Sequence, residues 1–167
     1  MSTLSVYAVA ENGDLERVGE IRNSHRFHPA IWRSLAVKYG VPDPMTVMIC
    51  GDGNDEIALW SMANDGRLSR ADTIVCMATF DGAIMCADTV DVFVAEAARF
   101  ELEEIAEMML GNSDARGFAF AGSLSDDPWS VWDEDADEYR PYNIDTDTET
   151  CVGPHWFIHE HVPANEG

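Results

Sequence analysis

With 167 residues, 46% of them hydrophobic, and with five tryptophans and seven phenylalanines, the chain is long and apolar enough to bury a core, which excludes an intrinsically disordered protein. Acidic residues outnumber basic ones 31 to 10, only Lys38 is a lysine, and the net charge is −21. That charge repels nucleic acid and anionic membrane, so neither is expected as a direct partner, and it attracts basic surfaces and cations. Solubility, a salt-adapted host or compositional bias would produce the same balance.

In chain order, Leu4–Ala10 and Leu15–Ile21 are extended runs around Asn12-Gly13, a strong hairpin signal. The second run does not alternate cleanly, which predicts a bend or bulge near Gly19. Pro29 and the spacing of Ile31, Trp32, Leu35, Ala36 and Tyr39 predict a helix over 29–39, with Ser24 or His28 near its start. Gly40 suits the position after its end, and Pro42 and Pro44 prevent continuation. Thr46–Cys50 fits a short strand or a helix start, and Glu56–Ala63 a short helix. Ile74–Phe80 is β-rich, Asp81-Gly82 is a turn pair and Ala83–Ala87 returns, which predicts a second hairpin near 74–87.

Thr89–Leu110 carries the longest helical pattern. Thr89 suits the cap, Asp91 the first turn, and Val94, Ala98, Leu102, Ile105 and Met109 form a stripe flanked by Phe93, Ala97 and Phe100. Glu96–Arg99 and Arg99–Glu103 have ion-pair spacing. Gly117–Ala121 and His155–Val162 read as strands. The expected fold is α+β, one domain over 1–167. A mostly antiparallel sheet (N-terminal hairpin, hairpin near 74–87, C-terminal strand) is packed by two main helices near 29–39 and 89–110.

Chemical motifs are sparse. Cys50, Cys76, Cys86 and Cys151 form no CxxC pair, and no secretory leader is evident, so reduced thiols in a cytoplasmic protein are expected. Cys76 and Cys86 would flank the second hairpin, with burial as small hydrophobes favoured over pairing. No apolar run reaches the ~18 residues of a membrane span. His155, His159 and His161 share one face of an extended chain, and His25 and His28 could join them, which makes them candidate metal ligands for a metal-binding enzyme. No carboxylate or partner completes that set. Gly51–Asp55 (GDGND) lacks the remaining residues of a phosphate loop. Asp133, Asp135 and Asp137 have calcium-loop spacing, but Glu138 and Ile144 stand where that loop requires glycine and glutamate. No nucleophile motif occurs, no cofactor is expected, and an enzyme is disfavoured.

The most unusual stretch is DPWSVWDEDADEYRPYNIDTDTET, from Asp127 to Thr150. It holds one arginine and nine acids interleaved with Trp129, Trp132, Tyr139 and Tyr142. An acidic-aromatic loop over about 125–150 is expected. One reading has Trp129, Trp132, Tyr142 and Ile144 plug the loop onto the core while the acids are solvated. The other has the aromatics and carboxylates meet a basic partner, as Trp and Tyr supply contact area and cation–π faces. The candidate partner-binding residues are Trp129, Trp132, Asp133, Glu134, Asp135, Asp137, Glu138 and Tyr139, with Glu103, Glu104 and Glu107 on the helix. The expected function is an acidic inhibitor that blocks a basic, nucleic-acid-binding partner, of the anti-restriction or anti-CRISPR type. An immunity protein that neutralises a nuclease toxin is the alternative.

Overall fold

In the computed structural model the described residues are 3–22, 27–79, 83–122 and 129–147. The Asn12-Gly13 turn joins β1 (Thr3–Val9) to β2 (Leu15–Arg22) in antiparallel register. Val6 faces Gly19 but Tyr7 faces Arg17, so Val18 is the extra residue of a bulge where the broken alternation predicts one. Gly19 also lets the helix that carries Met108 come close: a Cβ there would stand 2.6 Å from the Met108 sulfur.

Four helices follow: α1 (Phe27–Tyr39), α2 (Pro44–Cys50), α3 (Ala58–Asn64) and α4 (Arg70–Met77). α1 starts two residues before Pro29 and stops where expected. Gly40 takes φ +67°, and the Val41 amide reaches back to the Ala36 carbonyl, closing a Schellman motif. α2 settles the ambiguity at 46–50 as helix, with the Asp43 carboxylate accepting the Met45 N–H at its start. α3 ends at Gly66, φ +69°, with the same backward bond from Arg67 to Met62.

The strand expected over 74–80 is not found: Ile74–Met77 is the last part of α4, and Phe80 lies outside the described residues. β-Branched residues favour strands only weakly, and tertiary contacts override them here. Ser69 caps the helix by accepting the Asp72 N–H, and Asp72 accepts from Lys38 Nζ and the Tyr39 hydroxyl of α1, both at 2.6 Å. Ile74, Val75 and Cys76 are then buried. The second hairpin therefore does not form. β3 (Ile84–Cys86) pairs with β4 (Gly117–Gly122), about which the local sequence carries no signal. Cys76 and Cys86 do not face each other across a hairpin; with Cys50 they are free thiols. The turn at 81–82 and the expected strand at 155–162 lie outside the described residues.

The long helix predicted over 89–110 is also corrected. It is a 3-10 turn (Ala87–Thr89), α5 (Val90–Ala97), a second 3-10 turn (Ala98–Phe100) and α6 (Glu103–Leu110). Thr89 gives no side-chain cap; its hydroxyl donates to the Cys86 carbonyl. Glu101 breaks the helix in the left-handed region, φ 57°, and the Leu102 amide reaches the Ala97 carbonyl. This is a third Schellman motif, built on glutamate where the other two use glycine. The break shifts the helical phase, so Phe93, Ala97 and Phe100 are buried while Val94 is only partly buried and Ala98 is exposed. Arg99 pairs with Glu96, as expected.

The sheet has the order β2-β1-β4-β3, antiparallel throughout, and the described fold is α+β. Alternation along the strands divides its side chains between two layers. Leu4, Val6, Ala8, Met85, Phe118 and Phe120 join the helices in the larger core. Tyr7, Val9, Leu15, Ile84, Ala119 and Ala121 face the other way, into a second core.

Left-handed backbone at a residue with a Cβ costs about 1–2 kcal/mol relative to glycine. Glu101→Gly is therefore expected to stabilise the protein by about 0.5–1 kcal/mol, partly offset by chain entropy, as read from urea denaturation. A destabilised variant would mean that the Glu101 side chain holds the break in place.

Candidate functional site

The second core is closed by the described part of the acidic-aromatic segment, residues 129–147, which is not all loop. It forms a hairpin of β5 (Ser130–Asp133) and β6 (Glu138–Pro141), with Trp132 opposite Tyr139 and Asp133 opposite Glu138. Trp129 is 1% exposed, and its indole Nε1 donates to the Phe120 carbonyl at 3.2 Å. It meets Tyr142 edge-on, centroids 5.4 Å apart, and Ile144 completes the buried set. These three residues cover the sheet face that the helices leave open.

Backbone and side-chain bonds fasten the segment to the first hairpin. The Leu15 amide donates to the Tyr142 carbonyl at 2.9 Å and the Ile144 amide to the Gly13 carbonyl at 3.0 Å. Asn143 donates through Nδ2 to the Asn12 carbonyl and to Asp14 Oδ1. Gly13, φ +94°, fits because a Cβ would lie 2.6 Å from Asp145 and 2.9 Å from Asn143. Two arginine forks add charge-assisted bonds: Arg116 to Asp145 at 2.9 and 3.1 Å, and Arg140 to Asp147 at 2.6 and 2.7 Å.

The Arg140 fork, against burial and with help from the Asn143 amide, holds the Asp147 carboxyl below the ordinary carboxylate range. At Asp72 burial raises the pKa, but the bonds from Lys38, Tyr39 and Ser69 outweigh it and the net shift is downward. Burial pushes the Cys76 thiol up to about 12, and burial with the neighbouring Asp88 pushes Cys86 to about 11, so neither is a ready thiolate nucleophile.

The structure sorts the candidate residues. Trp129 is an internal anchor and no contact surface for a partner. Trp132 is 47% exposed and Tyr139 70%, with their rings edge to face at 5.0 Å on the outward side of the hairpin. Asp133 organises the turn, since its Oδ1 accepts the Asp135 and Ala136 amides. Asp137 supplies the left-handed residue of that turn, φ 53°. Glu134, Asp135 and Glu138 are exposed and free of such duties in the turn. Glu103, Glu104 and Glu107 are exposed on α6, which packs on β1 and β2 from the helical layer, across the sheet from the hairpin. The two acidic groups are thus not brought together.

The opposite fates of Trp129 and Trp132 were present in the spacing. Three residues is an odd step along an extended chain, so the two rings point to opposite faces, and Tyr139 and Tyr142 repeat the pattern. Asn143, Asp145 and Arg116 carry no local signal because their partners are remote in the chain. The partners of Asp147, which are Arg140 and the Asn143 amide, are near in sequence and are brought to it by the turn that follows β6. His155, His159 and His161 lie outside the described residues, as does His25. Among the described residues no group of three or more metal-ligating side chains occurs, and no helix is long and apolar enough to cross a membrane.

Trp129→Ala is expected to cost about 3–5 kcal/mol by the lost burial and the cavity. Trp132→Ala is expected to stay within about 0.5–1 kcal/mol of wild type in the same denaturation experiment. Asp147→Asn tests the fork. Its depressed pKa means that the bond stabilises the fold above the ordinary value of 3.8 and that this contribution is lost as pH falls through the lower folded pKa. The variant should lose about 1–3 kcal/mol at pH 7, and the gap to wild type should close on acidification below about pH 4. A gap independent of pH would show that the carboxylate charge is not what matters.

Comparison with protein-family models, with curated proteins and with solved structures finds no match to this chain.

Proposed function

We propose that this is a protein-binding inhibitor whose hairpin occupies a basic surface that a partner otherwise uses for nucleic acid, as anti-restriction and anti-CRISPR proteins do. The observation that carries this reading is the division of labour in one segment. Trp129, Tyr142 and Ile144 fix the hairpin, while Trp132, Tyr139 and the carboxylates of Glu134, Asp135 and Glu138 remain at its surface. A hairpin ordered before binding loses little conformational entropy on association. Fixed carboxylates compete with phosphates for the same lysines and arginines and release the same counterions. Aromatic anchors convert a fast but weak electrostatic encounter into a specific one.

The residues to reverse are Glu134, Asp135 and Glu138, because Asp133 and Asp137 hold the turn. Immobilised protein is used to capture a nucleic-acid-binding partner from cells that carry defence systems, and a fluorescent duplex is then bound to that partner. Wild type is expected to displace the duplex, with affinity falling steeply as salt rises. The Lys triple variant, folded by circular dichroism, is expected to lose at least about 100-fold in displacement, since like charges now face each other. Undiminished displacement by the triple variant would rule out the hairpin carboxylates as the inhibitory surface.

A further inference from the structure

The outward face of the hairpin is specific enough to name the chemistry it takes. Trp132 and Tyr139 lie directly opposite each other across β5 and β6, and Pro141, opposite Ser130, is exposed on the same side. The other large apolar side chains exposed among the described residues, Val37, Met48, Ile49 and Leu110, are non-aromatic and sit on helices. The hairpin's own cation does not fill this face. Arg140 stands opposite Val131, on the inward side, and is held there by Asp147 and Asp133. Among the described residues, cation–π contacts join Lys38 to Tyr39 and Arg99 to Phe100, both elsewhere.

An aromatic pair whose adjoining turn carries the exposed Glu134 and Asp135 is poorly suited to an apolar partner, because closing an apolar surface over it would strip water from those carboxylates without replacing their hydrogen bonds. It suits a cation. A guanidinium lies flat on a Trp or Tyr ring while its N–H fork reaches a carboxylate at the rim, whereas an ammonium is a compact, strongly hydrated point charge that covers less of the ring and has no planar fork. Resting on the inhibitor reading above, we propose that the Trp132–Tyr139 face is a docking site for an arginine side chain of the basic partner. The rings select arginine over lysine and the turn carboxylates supply the salt-sensitive attraction.

The test uses the whole protein with an arginine hexapeptide and a matched lysine hexapeptide, titrated by calorimetry at fixed salt. The arginine peptide is expected to bind at least about threefold tighter. Trp132→Ala and Tyr139→Ala should each weaken it by about threefold to thirtyfold while leaving the lysine peptide within about twofold. Trp132→Phe should retain part of the preference, and both alanine variants should melt within a few degrees of wild type because the rings lie at the surface. Equal affinity for the two peptides, equal losses for both in the alanine variants, no measurable arginine binding, or tighter binding of a neutral aromatic peptide would each overturn the proposal. Arginine selectivity without displacement of nucleic acid from any partner would keep this site and reject the inhibitor reading. Displacement that survives Trp132→Ala would do the reverse.

Discussion

The structure depends on how the second face of its sheet is covered. Tyr7, Val9, Leu15, Ile84, Ala119 and Ala121 form an apolar surface on the side away from the described helices. Left in water it would cost roughly 25 cal/mol for each Å² and would be a ready aggregation surface. Trp129, Tyr142 and Ile144 close it. They come from the most acidic stretch of the chain, so a segment that composition assigns to solvent is one of the layers of the fold. A polar residue at Trp129 would expose the sheet and also remove the indole bond to the Phe120 carbonyl.

That constraint shapes the surface as well. Once Trp129 and Tyr142 are buried, the strand alternation leaves Trp132 and Tyr139 pointing outward, and the turn between them carries its acids on a fixed frame. The frame is tied at several points to the Asn12-Gly13 turn, near the start of the chain, and by Arg116 and Arg140. The chain has few cations, and these two are used as internal fasteners for carboxylates of the segment. Carboxylates that do not fasten anything, Glu134, Asp135 and Glu138, keep their charge for solvent or for a partner.

Much of the fold was legible because its signals are local. The Asn12-Gly13 hairpin, a bulge near Gly19, the stop at Gly40 and a strand over 117–121 rest on turn chemistry and short-range alternation. The failures share a physical cause. α4 is decided by Ser69 and by Lys38 and Tyr39 of another helix, β3 finds its partner only in β4, and Glu101 accepts a conformation that its residue type disfavours. At the candidate site the acids and aromatics were visible as a group. Their division was not drawn from the sequence, because the odd spacing of Trp129 and Trp132 gains meaning only once the segment is known to be extended. Asp133 and Asp137 likewise read as binding residues until the turn geometry shows what they hold.

Native-state hydrogen exchange tests the central claim most directly. If the acidic segment is an integral layer, the amides of Leu15, Tyr142 and Ile144, which bond to Tyr142, Trp129 and Gly13, open only with the whole fold. Their protection then equals that of the β1–β4 ladder and falls with it in denaturant. Exchange of the Tyr142 and Ile144 amides at near-unprotected rates, while β1 and β4 stay protected, would show instead a segment that merely rests on the sheet, and the account of a pre-ordered hairpin would fail.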